Sequence, residues 1–147
     1  MKRINTILTV IVMLLLVLLT AKAAWGAVVI NEIMPNPNVV PNANGEYFEL
    51  YNSGDKDVDI NGWTIQSKSG TKTETHAISK VTGVIIPAGG YIVLCNDDDL
   101  SENGNFNCDY AYDKDINLVN TIDYLILLDT DGVEQYKVEY TSAFPFA

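Results

Sequence analysis

Basic side chains are scarce in this chain of 147 residues, which has one arginine and one histidine. Three of its nine basic residues, Lys2, Arg3 and Lys22, come before the first of its 19 acidic residues. The remaining chain carries six lysines against those 19 acidic residues, a formal charge of −13. Nucleic acids and anionic membranes are bound by clustered lysine and arginine side chains. The sequence therefore predicts neither as a partner, and its acidity instead favours solubility or attraction of cations.

The single histidine limits the catalytic chemistry open to the chain. A hydrolytic triad needs a base, and a zinc site needs several soft ligands. His76 lies in the polar stretch 73–77, and we interpret it as a solvated loop histidine. Carboxylates are numerous, but no pair has a spacing that singles out an acid and a base. We therefore predict no catalytic residues, no bound cofactor and no enzymatic activity.

The longest apolar run is short for a membrane span. Residues 7–19 are apolar except for Thr9, whereas a spanning helix needs roughly 20 residues. A basic start precedes this run, and small residues at 21–27 follow it. The pattern predicts a signal peptide over residues 1–26, with an uncleaved membrane anchor as the alternative.

Cleavage of such a signal leaves one domain at residues 27–147, with a new N-terminus between Ala24 and Ala27. A domain of about 120 residues can bury one hydrophobic core. We expect the protein to be exported and then secreted, periplasmic or held at the cell surface, without membrane contact after cleavage.

Helical periodicity is also missing after residue 27. Short runs rich in Val, Ile, Tyr and Phe alternate with Asn, Asp, Gly and Pro, which is typical of an all-β chain. Six or seven strands in roughly 115 residues predict a two-sheet β-sandwich, because half-buried strands must cover one another. We expect residues 91–95 and 124–128 to be strands buried on both faces.

One predicted strand alternates between two faces. Phe48 and Leu50 share one face, and Tyr47, Glu49 and Tyr51 share the other. We expect Glu49 to accept backbone hydrogen bonds from a neighbouring loop, with contact to a ligand as the alternative.

The next segment is predicted from its turn residues. Asn61-Gly62 suits a tight turn with positive φ, and Trp63 and Ile65 follow at period two. We expect Trp63 to be buried in the core. Residues 67–75 are polar and are predicted to form a mobile loop.

Cys95 and Cys108 are the two cysteines of the chain. Disulfides persist in oxidising compartments, so an exported chain favours a bridge between them, with two separate buried thiols as the alternative. The bridge would close a loop of about 14 residues and contribute on the order of 3 kcal/mol. The enclosed residues 96–107 have little apolar content with which to hold the loop in place.

The same loop and the residues after it are rich in carboxylates and amides, whose oxygens Ca²⁺ accepts in flexible geometry. No EF-hand spacing is present, and acidic loops are usually only solvated. We therefore predict no metal site. If a calcium site exists, its candidate ligands are Asp97, Asp99 and Asp113.

The order of these motifs resembles the lamin tail domain, an immunoglobulin-like β-sandwich. The matching segments are residues 29–33 followed by Pro35 and Pro37, then 46–52, 60–65, 86–94, and 123–129 with Asp131-Gly132 and the final strand to Tyr140. The resemblance implies a non-catalytic binding or structural module that contacts a protein or cell-surface ligand, whose identity the sequence does not reveal. Similar domains in bacterial exported proteins accompany hydrolases, nucleases or surface proteins. The alternative is therefore a small secreted hydrolase or an accessory domain of an exported hydrolase, with calcium as its candidate ion.

Overall fold

The computed structural model describes residues 28–142, so the predicted signal peptide and its cleavage positions, like residues 143–147, lie outside the described part. Ten β-strands and one helical turn occupy residues 28–142. In chain order they are β1 (Val28–Met34), α1 (Asn42–Gly45), β2 (Tyr47–Asn52), β3 (Val58–Asp59), β4 (Thr64–Ser69), β5 (Lys72–Ala77), β6 (Ile85–Ile86), β7 (Tyr91–Cys95), β8 (Tyr110–Ala111), β9 (Ile122–Leu128) and β10 (Glu134–Thr141). No helix in this part is long and apolar enough to cross a bilayer.

Two four-stranded sheets form the sandwich. The first has the strand order β1-β2-β7-β8 and the second has the order β10-β9-β4-β5, while β3 and β6 form a separate ladder. The pairs are antiparallel except for β7 with β8. The prediction of an all-β, immunoglobulin-like two-sheet sandwich is confirmed. The structure has ten strands where six or seven were expected, because β5 is polar and β3, β6 and β8 are only two residues long.

The core lies between the sheets and receives one face of each long strand. Phe48 and Leu50 of β2 and Leu125 and Leu127 of β9 are fully buried. Successive side chains of a strand point to opposite faces, so the predicted division of β2 into an inner and an outer face is confirmed. Burial of this apolar area, at about 25 cal/mol per Å², is the main term that holds the sheets together.

Strands β7 and β9 differ in burial, although both were expected to be buried on both faces. In β9, the consecutive residues Leu125, Ile126 and Leu127 are all buried. In β7, Tyr91 is 52% exposed and Val93 is half-buried. The prediction for β7 was wrong at Tyr91 and Val93, because the outer face of this strand is covered at Cys95, which is fully buried, and open to solvent at Tyr91.

The turn before β4 forms at Asn61-Gly62, as predicted. Gly62 has φ of 85°, a left-handed conformation that glycine adopts without steric cost, and the Trp63 N–H donates to the Ile60 carbonyl at 3.0 Å. Trp63 itself is half-buried and packs against the edge of the core. The prediction of full burial was wrong because Trp63 lies in the connection before β4, whereas Ile65 lies within that strand and is fully buried.

Residues 67–75, expected to be a mobile loop, belong mostly to the β4–β5 hairpin. Six residue pairs join the two strands, from Thr64↔Ala77 to Ser69↔Lys72, and Gly70 has φ of 59° in the turn. The prediction was wrong because residues 67–75, which have no apolar side chains, are held in place by the strand ladder. Ser67, the buried polar residue of β4, donates its hydroxyl to Asp123 Oδ2 at 2.8 Å.

Candidate functional site

The outer face of the first sheet carries a set of aromatic and acidic side chains, which we call the tyrosine face. It consists of Glu32, Tyr47, Glu49, Tyr51 and Tyr91, which alternate with core residues on β1, β2 and β7. Tyr51 and Tyr91 are cross-strand partners, and their rings stack with centroids 4.6 Å apart. Stacked aromatic pairs of this kind contribute about 0.5 to 1.5 kcal/mol beyond their buried area.

Two carboxylates lie side by side in the middle of the tyrosine face. Glu32 and Glu49 are cross-strand partners, and like charges at opposed positions destabilise a sheet. Glu32 accepts the Tyr47 hydroxyl at 2.7 Å, and Glu49 accepts the Asn31 side-chain amide at 2.7 Å. Asn31 reaches Glu49 because a bulge interrupts the register between Ile30 and Glu32. Glu49 therefore accepts from a neighbouring side chain, and its predicted backbone contact with a loop was wrong.

The charge of these carboxylates is not balanced by the lysines of the described chain. Among residues 28–142, the salt bridges involve Lys72, Lys114 and His76, and none of them includes Glu32 or Glu49. The pKa of Tyr47 is raised to about 12, first by its burial and then by its hydrogen bond to Glu32 and the two nearby negative charges.

A pocket of about 270 Å³, which we call the loop pocket, opens at one end of the tyrosine face. Tyr47 belongs to both, and its ring packs against Phe106 with centroids 5.0 Å apart. Val39 is 88% exposed at the pocket rim. The pocket is lined mainly by apolar side chains, which come from two loops and from the adjoining ends of β1 and β2: Met34, Pro37, Asn38, Val39, Val40, Gly45, Tyr47, Asn103, Gly104 and Phe106.

One wall of the loop pocket is the connection from β1 to β2, which ends in the turn α1. Gly45 at the end of α1 is buried, and a Cβ there would collide with the side chains of Val40 and Pro37. Glycine at this position lets the connection fold closely over the end of the sheet. The Asn44 side chain then donates to Glu102 of the opposite wall at 3.2 Å.

The other wall is the loop between Cys95 and Cys108, which are joined as predicted by a disulfide with Cα atoms 5.9 Å apart. Asn103 is 1% exposed inside this loop. Its amide donates to the carbonyls of Asp97 and Phe106 at 3.1 Å each, and its Oδ1 accepts the Phe106 N–H at 3.3 Å. The loop is therefore stabilised by the buried Asn103 as well as by the disulfide. The polar composition of the loop gave no indication that one of its asparagines is buried.

The three calcium candidates do not form a cluster. No group of three or more His, Cys, Asp or Glu residues suited to a metal lies within residues 28–142. Asp97 pairs with Lys114 at 3.1 Å, and Asp99 accepts the Ser101 hydroxyl at 2.7 Å. Asp113 is exposed in a left-handed turn with φ of 51°. The absence of a metal site stays a prediction, and two of the three calcium candidates, Asp97 and Asp99, are engaged in local contacts.

His76 lies on β5 and is 9% exposed, so its interpretation as a solvated loop residue was wrong. Its Nδ1 lies 2.8 Å from Asp115 Oδ2, and its Nε2 lies 2.7 Å from the Tyr110 hydroxyl. The Tyr110 oxygen accepts the Ser79 N–H at 2.9 Å, so its own hydrogen is free to donate to Nε2. Both ring nitrogens of His76 therefore have hydrogen-bond partners, and these hydrogen bonds connect β5 to β8 and to the loop that follows β8.

Two buried carboxylates were missed by the sequence analysis. Glu46 is fully buried, and its Oε2 accepts the Leu118 N–H at 3.0 Å, whereas its Oε1 has no hydrogen-bond partner among the described residues. Burial raises the pKa of Glu46 to about 7, although the Leu118 hydrogen bond opposes this rise. Asp123, also fully buried, accepts hydrogen bonds from Ser67 and Val119. These groups hold the β8–β9 connection against the sheets and are inaccessible to a ligand.

Comparison with known families agrees with this architecture. A family model described as Lamin Tail Domain matches residues 21–142, which is most of the chain. No curated protein matches the chain. Lamin tail domains form a non-catalytic, immunoglobulin-like family, so the resemblance inferred from the motifs is confirmed. The chain belongs to the Lamin Tail Domain family.

Proposed function

We propose that this protein is an exported, non-catalytic binding module that contacts a protein partner through the tyrosine face and the loop pocket. The observation that carries the proposal is the continuity of the two surfaces through Tyr47, together with the exposure of Tyr91 on the same sheet face. Tyrosine is enriched in protein interfaces because it combines apolar area with a polar hydroxyl. The exposed apolar rim at Val39 extends the same surface.

A hydrolase is the competing function, and His76 with Asp115 is its best candidate pair. The pair has the geometry of a base and its orienting carboxylate. The other ring nitrogen of His76, Nε2, is hydrogen-bonded to the Tyr110 hydroxyl, which is itself buried and accepts a hydrogen bond from the Ser79 N–H. This closed arrangement supports a structural role. Hydrolysis of an ester or peptide substrate that is abolished by His76→Gln in a protein with an unchanged melting temperature would favour the enzyme.

Export is part of the proposal, and its destination is the extracellular medium, the periplasm or the cell surface. It is supported by the predicted signal peptide at residues 1–26 and by the Cys95–Cys108 disulfide, which an oxidising compartment preserves. Sequencing of the N-terminus should find a start between Ala24 and Ala27. Recovery of the protein in membranes with Met1 intact would contradict export as a cleaved protein.

The binding surface can be tested with two matched tyrosine variants. Tyr91→Ser removes a ring from the tyrosine face, and Tyr124→Ser removes a ring from the outer face of the second sheet. Proteins captured from the exported fraction by the wild type and both variants are compared by quantitative mass spectrometry, and the binding of any protein lost with Tyr91→Ser is then measured with purified components. The proposal expects a partner that Tyr91→Ser loses and Tyr124→Ser retains. Equal capture by the three proteins would contradict it.

A further inference from the structure

We infer that the ligand of the tyrosine face is an extended, basic protein segment that places an apolar side chain in the loop pocket and a lysine or arginine beside Glu32 and Glu49. The inference rests on the proposed function, because it names the chemistry of the partner that the same surface binds. It is carried by three features of the surface: the size of the pocket, the unbalanced charge beside it, and the spacing between them.

The size of the loop pocket fits a side chain. Its volume of about 270 Å³ lies at the lower end of the range for sites that bind small molecules, which is about 300 to 1,000 Å³. An apolar cavity of about 150 Å³ already accepts benzene, so the pocket has room for one leucine, isoleucine or phenylalanine side chain. The apolar lining from Met34, Val40 and Phe106 suits such a group.

The negative charge of the two carboxylates beside the pocket favours a cationic group in the ligand. Glu32 and Glu49 oppose each other across β1 and β2, and each uses one oxygen to accept a neutral donor. No described lysine forms a salt bridge with either carboxylate. A ligand cation between them would relieve their mutual repulsion, and charge complementarity of this kind directs partner choice. The net negative charge of the whole protein also favours a basic partner.

The spacing of the groups sets the spacing expected in the ligand. Tyr47, Glu49 and Tyr51 recur at every second residue of β2, which places neighbouring groups roughly 6.6 to 6.8 Å apart. An extended segment has the same period. A segment lying along β2 therefore places an apolar residue at the pocket, a basic residue two positions along, and a second apolar residue over the Tyr51–Tyr91 pair.

Three synthetic peptides with blocked ends test these requirements against protein expressed from its full-length sequence. The first is Ser-Leu-Ser-Lys-Ser-Leu-Ser, the second has Glu in place of Lys, and the third, Ser-Ser-Leu-Lys-Leu-Ser-Ser, keeps the composition and loses the two-residue spacing. Affinity is measured by fluorescence anisotropy. We expect the first peptide to bind about tenfold more tightly than the second and more tightly than the third.

Protein variants test whether Glu32 and Glu49 cause the preference for the lysine peptide. The double variant Glu32→Gln, Glu49→Gln should abolish the preference for lysine, because it removes both charges and keeps the shape of the side chains. The control Glu134→Gln, Glu139→Gln removes two charges from β10 of the second sheet and should keep the preference. Val39→Ser at the exposed pocket rim should lower the affinity for the lysine and glutamate peptides equally, without a change in the melting temperature of the protein.

Equal binding of the lysine and glutamate peptides to the wild type would overturn the inference. A lysine preference that survives Glu32→Gln, Glu49→Gln would also overturn it. Binding of cellohexaose that is lost in Tyr91→Ser and unchanged in the glutamine double variant would replace the basic segment with a sugar. If Tyr91→Ser selectively loses a captured protein and the peptides show no lysine preference, the binding module stands and this assignment of its ligand is wrong.

Discussion

The outer faces of the two sheets differ in how their charges are balanced. On the second sheet, the Lys137 ammonium lies over the Tyr124 ring, 4.3 Å from its centroid, and Glu139 accepts a hydrogen bond from the hydroxyl of the same ring, so a cation and a carboxylate contact one tyrosine. On the first sheet, Glu32 and Glu49 face each other without a described lysine partner. The second sheet therefore carries a lysine on the same face as its carboxylate, whereas the first sheet has two opposed carboxylates that a cationic partner would stabilise.

The largest predicted difference is between the inner and outer faces of the first sheet. Phe48→Ala should lower the free energy of unfolding by about 3 to 5 kcal/mol, the cost of truncating a large aromatic core residue. Tyr91→Ala on the tyrosine face should cost about 1 kcal/mol, because it loses one ring contact from an exposed site. Urea denaturation measures both. Equal losses would show that the tyrosine face belongs to the folding core.

Removal of the disulfide should be the next largest effect, and it is specific to the pocket side of the molecule. Cys95 and Cys108 are 13 residues apart, and the double variant Cys95→Ser, Cys108→Ser should lose about 3 kcal/mol because its unfolded chain gains entropy. Hydrogen exchange should accelerate in residues 96–107 more than in β9 or β4. Uniform acceleration across both sheets would contradict a local role for this bridge.

A pH-dependent effect of similar size is expected in the interior from Glu46. Its pKa is about 7 when folded against 4.5 as its ordinary value, so the folded state binds the proton more tightly. Its contribution to stability is therefore complete below about pH 4.5 and is lost as the pH rises through 7. Between pH 5 and pH 8 this loss amounts to roughly 2 to 3 kcal/mol.

The substitution Glu46→Gln isolates this contribution. The variant keeps a neutral side chain of the same shape, so it should be more stable than the wild type at pH 8, and the difference should shrink toward pH 5. Denaturation curves at both pH values measure it, and the difference between the proteins cancels the titration of the exposed carboxylates. A constant difference across this range would show that Glu46 titrates in the folded protein as it does in the unfolded chain.

The smallest effect is expected from calcium. Asp97 and Asp99 are engaged with Lys114 and Ser101, so we expect a shallow rise in melting temperature that magnesium or salt reproduces. A specific site would instead stabilise the fold by about 2.7 kcal/mol at one hundred times its dissociation constant. A saturable, calcium-selective rise that disappears in Asp97→Asn, Asp99→Asn would overturn this expectation.

Local patterns in the sequence predicted most of the fold. Alternation at Tyr47–Asn52 separated the two faces of β2, and Asn61-Gly62 located the turn before β4. Export and two cysteines led to the disulfide. Each inference depends on neighbours in the sequence or on the chemistry of one residue type, which single-sequence reasoning can follow.

Long-range polar contacts were not predictable in the same way. His76 depends on Tyr110 and Asp115, which lie 34 and 39 residues away, and no local pattern distinguishes it from a loop histidine. Glu46 meets Leu118 across 72 residues, and its burial follows from the packing of the β8–β9 connection. The loop pocket likewise needs two loops to meet. His76 lies at an inward position of β5 opposite Ile65, but the polar sequence of β5 gave no indication that this segment is a strand.

The central claim, that the tyrosine face is the binding surface, is tested most directly by site-specific photo-cross-linking in the native host. p-Benzoylphenylalanine is introduced in place of Tyr91 on the first sheet or in place of Lys137 on the outer face of the second sheet. The account predicts a discrete adduct with one protein partner from position 91 and none from position 137. An adduct from position 137 with position 91 silent would contradict it.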